Sequence, residues 1–418
     1  MFNDLSSRPV WYRQLQSLAD AVGGTKYMVS LDAEEMLAAA QESTGLTDFG
    51  PDTWQGHYRQ LVDALNSQAD LNLVGAITAR TEILRSLRNR LQMQELIRRH
   101  PQILEEQILQ PIFIGGFGRT GTSITHELLA LNPSLRAPLT WETHQLGDET
   151  VGGNTTAQRI EQTNAEQLIY NEIAPEYRTM HENDAEHPSE CAMIHWSEFL
   201  SNNWGGLYFA PAYDMYSYAQ DWRGAYEFEK RYLQVLQWQE QQRSSTTVAR
   251  RWVLKNPRHE SHLPSLFAVF PDAQFLHTHR DMSKVMGSLC SLMATLRWMK
   301  SDSVSTDIFA HMGPAMAQSF KQIIAERESG VLPQDQIHNL YFQDLVTSPV
   351  ETMAKVYQAV GLDFGDKESQ EITDYLDNKP MGKHGKHEYD LEQFGYSRGQ
   401  LNDMFAHYMD YFSVPFET

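Results

Sequence analysis

PIFIGGFGRTGTSITHELLAL, residues 111–131, contains an apolar run, a glycine-rich turn and a helix-forming segment in direct succession. Gly115, Gly116, Gly118 and Gly121 leave backbone N–H groups free to converge on an anion where the helix begins, and the helix dipole favours negative charge there. Arg119 adds a cation, and Thr120, Thr122 and Ser123 add hydroxyl donors. A tight strand-to-helix turn needs none of these extras, so the stretch reads as an anion loop. The same alternation continues outward: WVLK (252–255) before HLPSLFAVF, QFLHTH (274–279) before a helix from about Met282 to Lys300, and HNLYF (338–342) before PVETMAKVYQAVG. Strand, loop and helix repeated in this way predict an α/β fold, a parallel sheet flanked by helices, over 105–418.

Two regions stand outside that rhythm. Residues 1–104 read as helical: Trp11, Leu15, Leu18 and Val22 form a helical stripe, Asp32 with Glu35 makes a capping box, and Gly45 suits the stop. Ile77, Ile83, Leu84, Leu87, Leu91 and Leu96 continue a second pattern until Pro101. This region carries no chemistry and reads as a helical cap, with self-association into a homo-oligomer as a further role. From 143 to 245 the alternation lapses, and Trp196 to Trp238 hold 13 aromatics in 43 residues. Such density builds a core, an oligomer interface or the wall of an acceptor pocket.

The chain has 34 basic and 54 acidic residues, a net charge of −20. That excludes general nucleic-acid binding, which needs a basic surface to displace counterions. Basic residues nevertheless cluster at Arg250, Arg251, Lys255 and Arg258, and again at Lys379, Lys383 and Lys386. Local positive charge in an acidic chain fits a specific anionic ligand. The two cysteines, Cys191 and Cys290, form neither a disulfide framework nor a metal spacing. With no apolar leader and no run of 18 apolar residues, the expectation is a cytoplasmic chain with no membrane span.

The spacing Gly116-x4-Gly121-Thr122-Ser123 is that of the nucleoside-triphosphate loop G-x-x-x-x-G-K-[ST], with Thr122 in the place of lysine. No later apolar strand ends in a metal-binding aspartate, and His279-Arg280-Asp281 lacks the asparagine a kinase catalytic loop requires, position 286 being Met. A phosphate loop without metal equipment suits a donor whose reactive bond needs no metal.

GFGRTGTS resembles the 5′-phosphosulfate loop of sulfotransferases that use 3′-phosphoadenosine-5′-phosphosulfate (PAPS). WVLKNPRH (252–259) is similar to the family's strand bearing an active-site lysine, and FLHTHRDMSKVMGSLCSL (275–292) to its 3′-phosphate motif. MGKHGKHEYDLEQFG (381–395) is similar to the basic segment that closes over the nucleotide. The likeness covers about 111–418, with Gly118 in place of the usual proline and Met282 where Arg-Asp-Pro is common. It implies the three-layer, P-loop-like sulfotransferase fold, PAPS as donor, 3′-phosphoadenosine-5′-phosphate (PAP) as product and no metal. It also implies a small-molecule hydroxyl acceptor, apolar or aromatic before carbohydrate. Gly118 to Ser123 with Arg119 would hold the 5′ end, Arg280 and Ser288 the 3′-phosphate, and Lys383 and Lys386 would close over them. Lys255 would stabilise the leaving oxygen. The base stays open among Glu142, His259 and His181. The alternatives are a nucleotide kinase-like phosphotransferase and a catalytically silent nucleotide-binding scaffold.

Overall fold

β1 (Ile112–Gly115), β2 (Leu135–Arg136), β3 (Arg251–Lys255), β4 (Gln274–His279) and β5 (Ile337–Tyr341) form one parallel sheet in the order β2-β3-β1-β4-β5. The computed structural model describes residues 5–180, 184–243, 250–303, 306–379 and 390–417. The strands are near-continuous apolar runs because helices cover both faces of a parallel sheet. Every residue of β1 is buried, and in β3 and β4 only the first is partly exposed. β2 has two residues and no apolar run to announce it. Phe342, expected to close the last strand, opens the helix Phe342–Thr347 instead.

Side chains alternate across the sheet. Ile112, Ile114, Val253, Leu276 and Leu340 share a core with Leu128 and Leu129 of the helix Thr122–Ala130 and with Met353 and Val356 of the helix Pro349–Ala359. The intervening positions supply Phe113, against Phe270, and the neighbours His277, edge-on to Phe412, and His279, stacked on it. Register sets Ile114 beside Lys255 and Gly115 beside His277. The loop after β1, the end of β3 and the segment after β4 therefore leave the sheet at one edge. β1 lies between β3 and β4, where the connections turn to opposite sides, and open parallel sheets bind ligands at such a point.

By contact, the sheet belongs to a unit of Ile108–Pro138, Val248–Ser291 and Ser305–Thr418. A second unit, Met1–Gln107, Leu139–Thr247 and Leu292–Val304, contains the longest helix, Leu73–Arg99. Its core packs Trp54, Tyr58, Leu61, Ile83, Leu87 and Leu91 with Trp196, Phe199, Trp204, Tyr208 and Tyr213. Most of the aromatic-rich stretch is thus interior to the helical unit. Asp32 accepts the Glu35 N–H at 2.9 Å and Gly45 closes that helix in the left-handed conformation, as the sequence predicts. The first helix, Val10–Ala21, is turned away from the predicted stripe. Tyr12 and Ala19 are buried and Leu18 and Val22 are exposed, because the Tyr12 hydroxyl reaches the Met299 carbonyl at 2.9 Å. Among the described residues no helix is long and apolar enough to cross a membrane.

Candidate active site

The anion loop is held from beneath. Gly116 has φ +137°, and a Cβ there would come within 2.1 Å of Thr278 Oγ1, so only glycine fits. Thr278 Oγ1 lies 3.2 Å from the Gly115 carbonyl and 2.6 Å from Thr120 Oγ1. Thr120 also donates to Phe117 O at 2.7 Å. The Thr120 hydroxyl, expected to face a ligand, is buried as a loop anchor. Gly121, with φ +95°, precedes the helix Thr122–Ala130. Thr122 is buried at its first turn, while Ser123 is exposed and accepts a hydrogen bond from Lys255 Nζ at 3.2 Å.

Two further cations meet the loop. Arg119, half-buried at φ +76°, donates from Nε to Ser288 Oγ at 2.9 Å. Arg280 follows β4 and lies over the Phe342 ring, 3.9 Å from its centroid. Its Nη1 donates to the Arg119 carbonyl at 2.9 Å, and its Nε and Nη2 donate to the two oxygens of Glu417 at 2.7 and 3.0 Å. Arg280 thus grips a carboxylate as a fork, the arrangement guanidinium also offers a phosphate. Asp281 accepts the Ser283 N–H at 2.8 Å, opening the helix Met282–Lys300, and the Glu417 N–H at 2.9 Å. The structure therefore gathers Gly118 to Ser123, Lys255, Arg280 and Ser288 around one loop.

His259 is buried on the turn after β3, edge-on to Phe113 with centroids 5.0 Å apart. Its neighbour Glu260, which sequence reading passed over, is wholly buried, and its Oε2 accepts the Gly116 N–H at 2.9 Å. Burial above all pushes the Glu260 carboxyl up to about 7, against the opposing effects of Arg258 and of the Glu260 and Gly116 N–H groups. Burial also holds the His277 ring well below the usual imidazole range and takes His279 down to about 3. His279 is bonded to the Tyr408 hydroxyl at 3.0 Å and to Asn339 Oδ1 at 3.2 Å. Position after a strand end was the one sequence signal for Glu260, while Glu417 had none.

Glu142 belongs to the helical unit. There it is buried, its Oε2 accepts the Leu139 N–H at 3.0 Å, and its Oε1 lies 3.6 Å from Arg243. His181, Lys383 and Lys386 lie outside the described residues.

The glycine-rich loop at the sheet's switch point is ringed by Lys255, Arg119 and Arg280. A family profile described as "Sulfotransferase family" matches residues 111–366. The chain belongs to the sulfotransferase family and is a sulfotransferase with the P-loop-like fold. It is 26% identical over 287 residues to the omega-hydroxy-beta-dihydromenaquinone-9 sulfotransferase Stf3 of Mycobacterium bovis, covering 64% of this chain and 68% of that protein. It is also similar to the crystal structure of sulfotransferase STF9 from Mycobacterium avium, with TM-score 0.79, 25% identity, and coverage of 92% of this chain and 97% of the other. For STF1 from Mycobacterium tuberculosis the TM-score is 0.72 at 26% identity, covering 90% of this chain and 98% of that one.

Proposed function

We propose that the protein moves a sulfuryl group from PAPS to a hydroxyl of a small-molecule acceptor, by in-line displacement without a metal. The observation that carries this reading is the pairing of two anion holders, the loop Gly115–Ser123 with Lys255 and the Arg280 fork that grips the Glu417 carboxylate. That carboxylate, with its two oxygens bound side by side, is the mimic of a 3′-phosphate. The donor supplies the sulfuryl group, its sulfur–oxygen bond breaking as the acceptor oxygen bonds to sulfur, and leaves as PAP. Lys255 and Arg119 carry the charge that develops on the leaving oxygen. Arg280 and Ser288 hold the 3′-phosphate and keep the nucleotide in register. The acceptor proton goes to a base, for which Glu142→Gln, His259→Asn and His181→Asn are the parallel variants that assign the role.

An apolar alcohol is the proposed acceptor. The printed name of the Stf3 relative, which specifies an omega-hydroxy dihydromenaquinone, supports it over a carbohydrate. The two buried cysteines, neither in a disulfide, support work in the reducing cytoplasm. Calorimetry in EDTA tests the donor assignment. PAP binds without metal and much more tightly than AMP, and equal affinities for the two would remove the 3′-phosphate reading of Arg280.

A further inference from the structure

Most of what holds the anion loop cannot change its charge. Thr278 and Thr120 offer hydroxyls, and Arg280, which takes the Arg119 carbonyl, is a permanent cation. The exception is the bond at the loop's first turn, where the Gly116 N–H donates to Glu260 Oε2 at 2.9 Å. Glu260 is on the short turn His259–His262, it is 0% exposed, and its Oε1 has no hydrogen-bond partner among the described residues. Gly116 has no slack to compensate, because its backbone is packed against Thr278. A carboxyl in this position fixes the loop whether or not it carries a proton. Its charge, however, matters to whatever the loop binds: an ionised Glu260 sets a negative charge behind the N–H groups that must receive a polyanion, and a neutral one does not.

We propose that Glu260 is a positioning residue for sulfuryl transfer: its buried carboxyl fixes the Gly116 N–H and with it the path of the anion loop, and the loop takes its anion with Glu260 as the neutral acid. The inference rests on the reading that this loop receives the donor's 5′-phosphosulfate. The surroundings favour it. In its own turn stand His259 and His262, and just before them Arg258, whose guanidinium lies over Phe117, 4.6 Å from the ring centroid. Tyr408, from the helix Arg398–Tyr411, is a phenol that burial and then Glu260 itself push upward. β1 and the helix Leu263–Val269 pack on the turn and bring no titratable group, while the helix Met312–Glu328 brings Lys321, Glu326, Arg327 and Glu328. Burial outweighs Arg258 and brings the carboxyl up to about 7, so the acid form is substantially populated near neutrality.

The sign of the effect follows from linkage. A bound anion near Glu260 raises the cost of ionising it, so the complex holds the proton to higher pH than the free enzyme. Affinity is full below the free-enzyme value and falls as pH rises through it, by up to about tenfold per pH unit until the complex also ionises. PAP in EDTA is the probe, titrated from pH 6 to 9 into the wild type, Glu260→Gln and Glu260→Ala. Glu260→Gln keeps an acceptor oxygen for Gly116 and cannot ionise. It is expected to bind like the wild type at pH 6.5, to lose the steep weakening above neutrality, and to be about tenfold tighter than the wild type at pH 8.5. Glu260→Ala, with no acceptor, is weaker throughout. Parallel pH profiles for the wild type and Glu260→Gln would overturn the inference. The wild type alone supplies a second measurement should the variants fail to fold. Titration at pH 7.5 in buffers of different ionisation enthalpy reads the protons taken up on binding; a fractional uptake is expected, and zero uptake would overturn the assignment. Absence of PAP binding by the wild type at every pH would sink the donor reading and this inference together, whereas binding with no proton linkage sinks only the latter.

Discussion

The helical unit and the sheet unit both bury charge, and they treat it differently. In the helical unit Arg90 Nη1 meets Glu198 Oε2 at 2.5 Å, with both side chains nearly inaccessible, and also donates to the Ser197 carbonyl at 3.0 Å. Glu82 is bonded by the hydroxyls of Tyr208 and, at 2.8 Å, Tyr170, while Lys300 Nζ lies 4.0 Å from the Tyr208 ring centroid. Every one of these ions has a counter-group, and the network ties segments far apart in sequence. In the sheet unit, Glu260 Oε1 and both ring nitrogens of His277 have no partner among the described residues; single atoms such as Glu229 Oε1 are left so in the helical unit too, but there the group's other oxygen is paired, with His195. Arg280 is paired with the partly buried Glu417 carboxylate, which the proposed function has an anion replace. Paired charge serves cohesion, whereas under the proposed function Arg280 and Glu260 would respond to a ligand.

That contrast is open to test. The largest effect is expected in the helical unit. Glu198→Ala strands the Arg90 guanidinium in a low-dielectric interior and should cost about 3–5 kcal/mol of stability. Urea unfolding measures it, and PAP affinity per folded molecule should not move; a change in affinity would break the comparison. Next is Lys255→Ala, which should lower turnover by about 10²–10³, the usual loss when a group that stabilises transition-state charge is removed. PAP affinity should fall by much less than turnover, and turnover left intact would remove the leaving-group role. The smallest effects belong to the replaceable pair. Arg280→Ala deletes a charge-assisted hydrogen bond worth about 1.5–3 kcal/mol and should weaken PAP by roughly tenfold to a hundredfold. Glu417→Gln removes a competing anion and should tighten PAP slightly, by no more than about 1 kcal/mol. Calorimetry reads both, and weaker binding by Glu417→Gln would mean that the carboxylate supports the site rather than occupying it.

The fold, and the loop on which the candidate site is built, could be read from the sequence because they are local. Glycine spacing at 115–121, apolar runs ending at Lys255 and His279, and caps at Asp32 and Gly45 each express a rule that acts within a few residues. What escaped was non-local. β2 pairs through two residues and has no period to detect. Tyr12 turned its helix because a carbonyl 287 positions away accepts its hydroxyl, and Glu260 meets Gly116 across 144 positions through the parallel pairing of β1 and β3. Glu417 looks like a surface acid until the fold carries it to Arg280. Composition was silent on partners: the aromatic density of 196–238 was visible, but not that Trp196, Phe199 and Tyr213 share a core with Trp54 and Tyr58, far upstream.

The torsion at Arg119 also constrains how this loop can vary. A φ of +76° is one that glycine adopts freely and that other residues hold at a cost of about 1 kcal/mol or more. Selection for stability alone would put glycine at this position, as at Gly116 and Gly121 on either side. Glycine would relax the backbone and abolish the guanidinium that reaches Ser288, and lysine would keep the strain while giving up the planar fork. Arginine at 119 is therefore a compromise in which foldability yields to charge, and variants chosen for thermal stability should be screened against drift to glycine here.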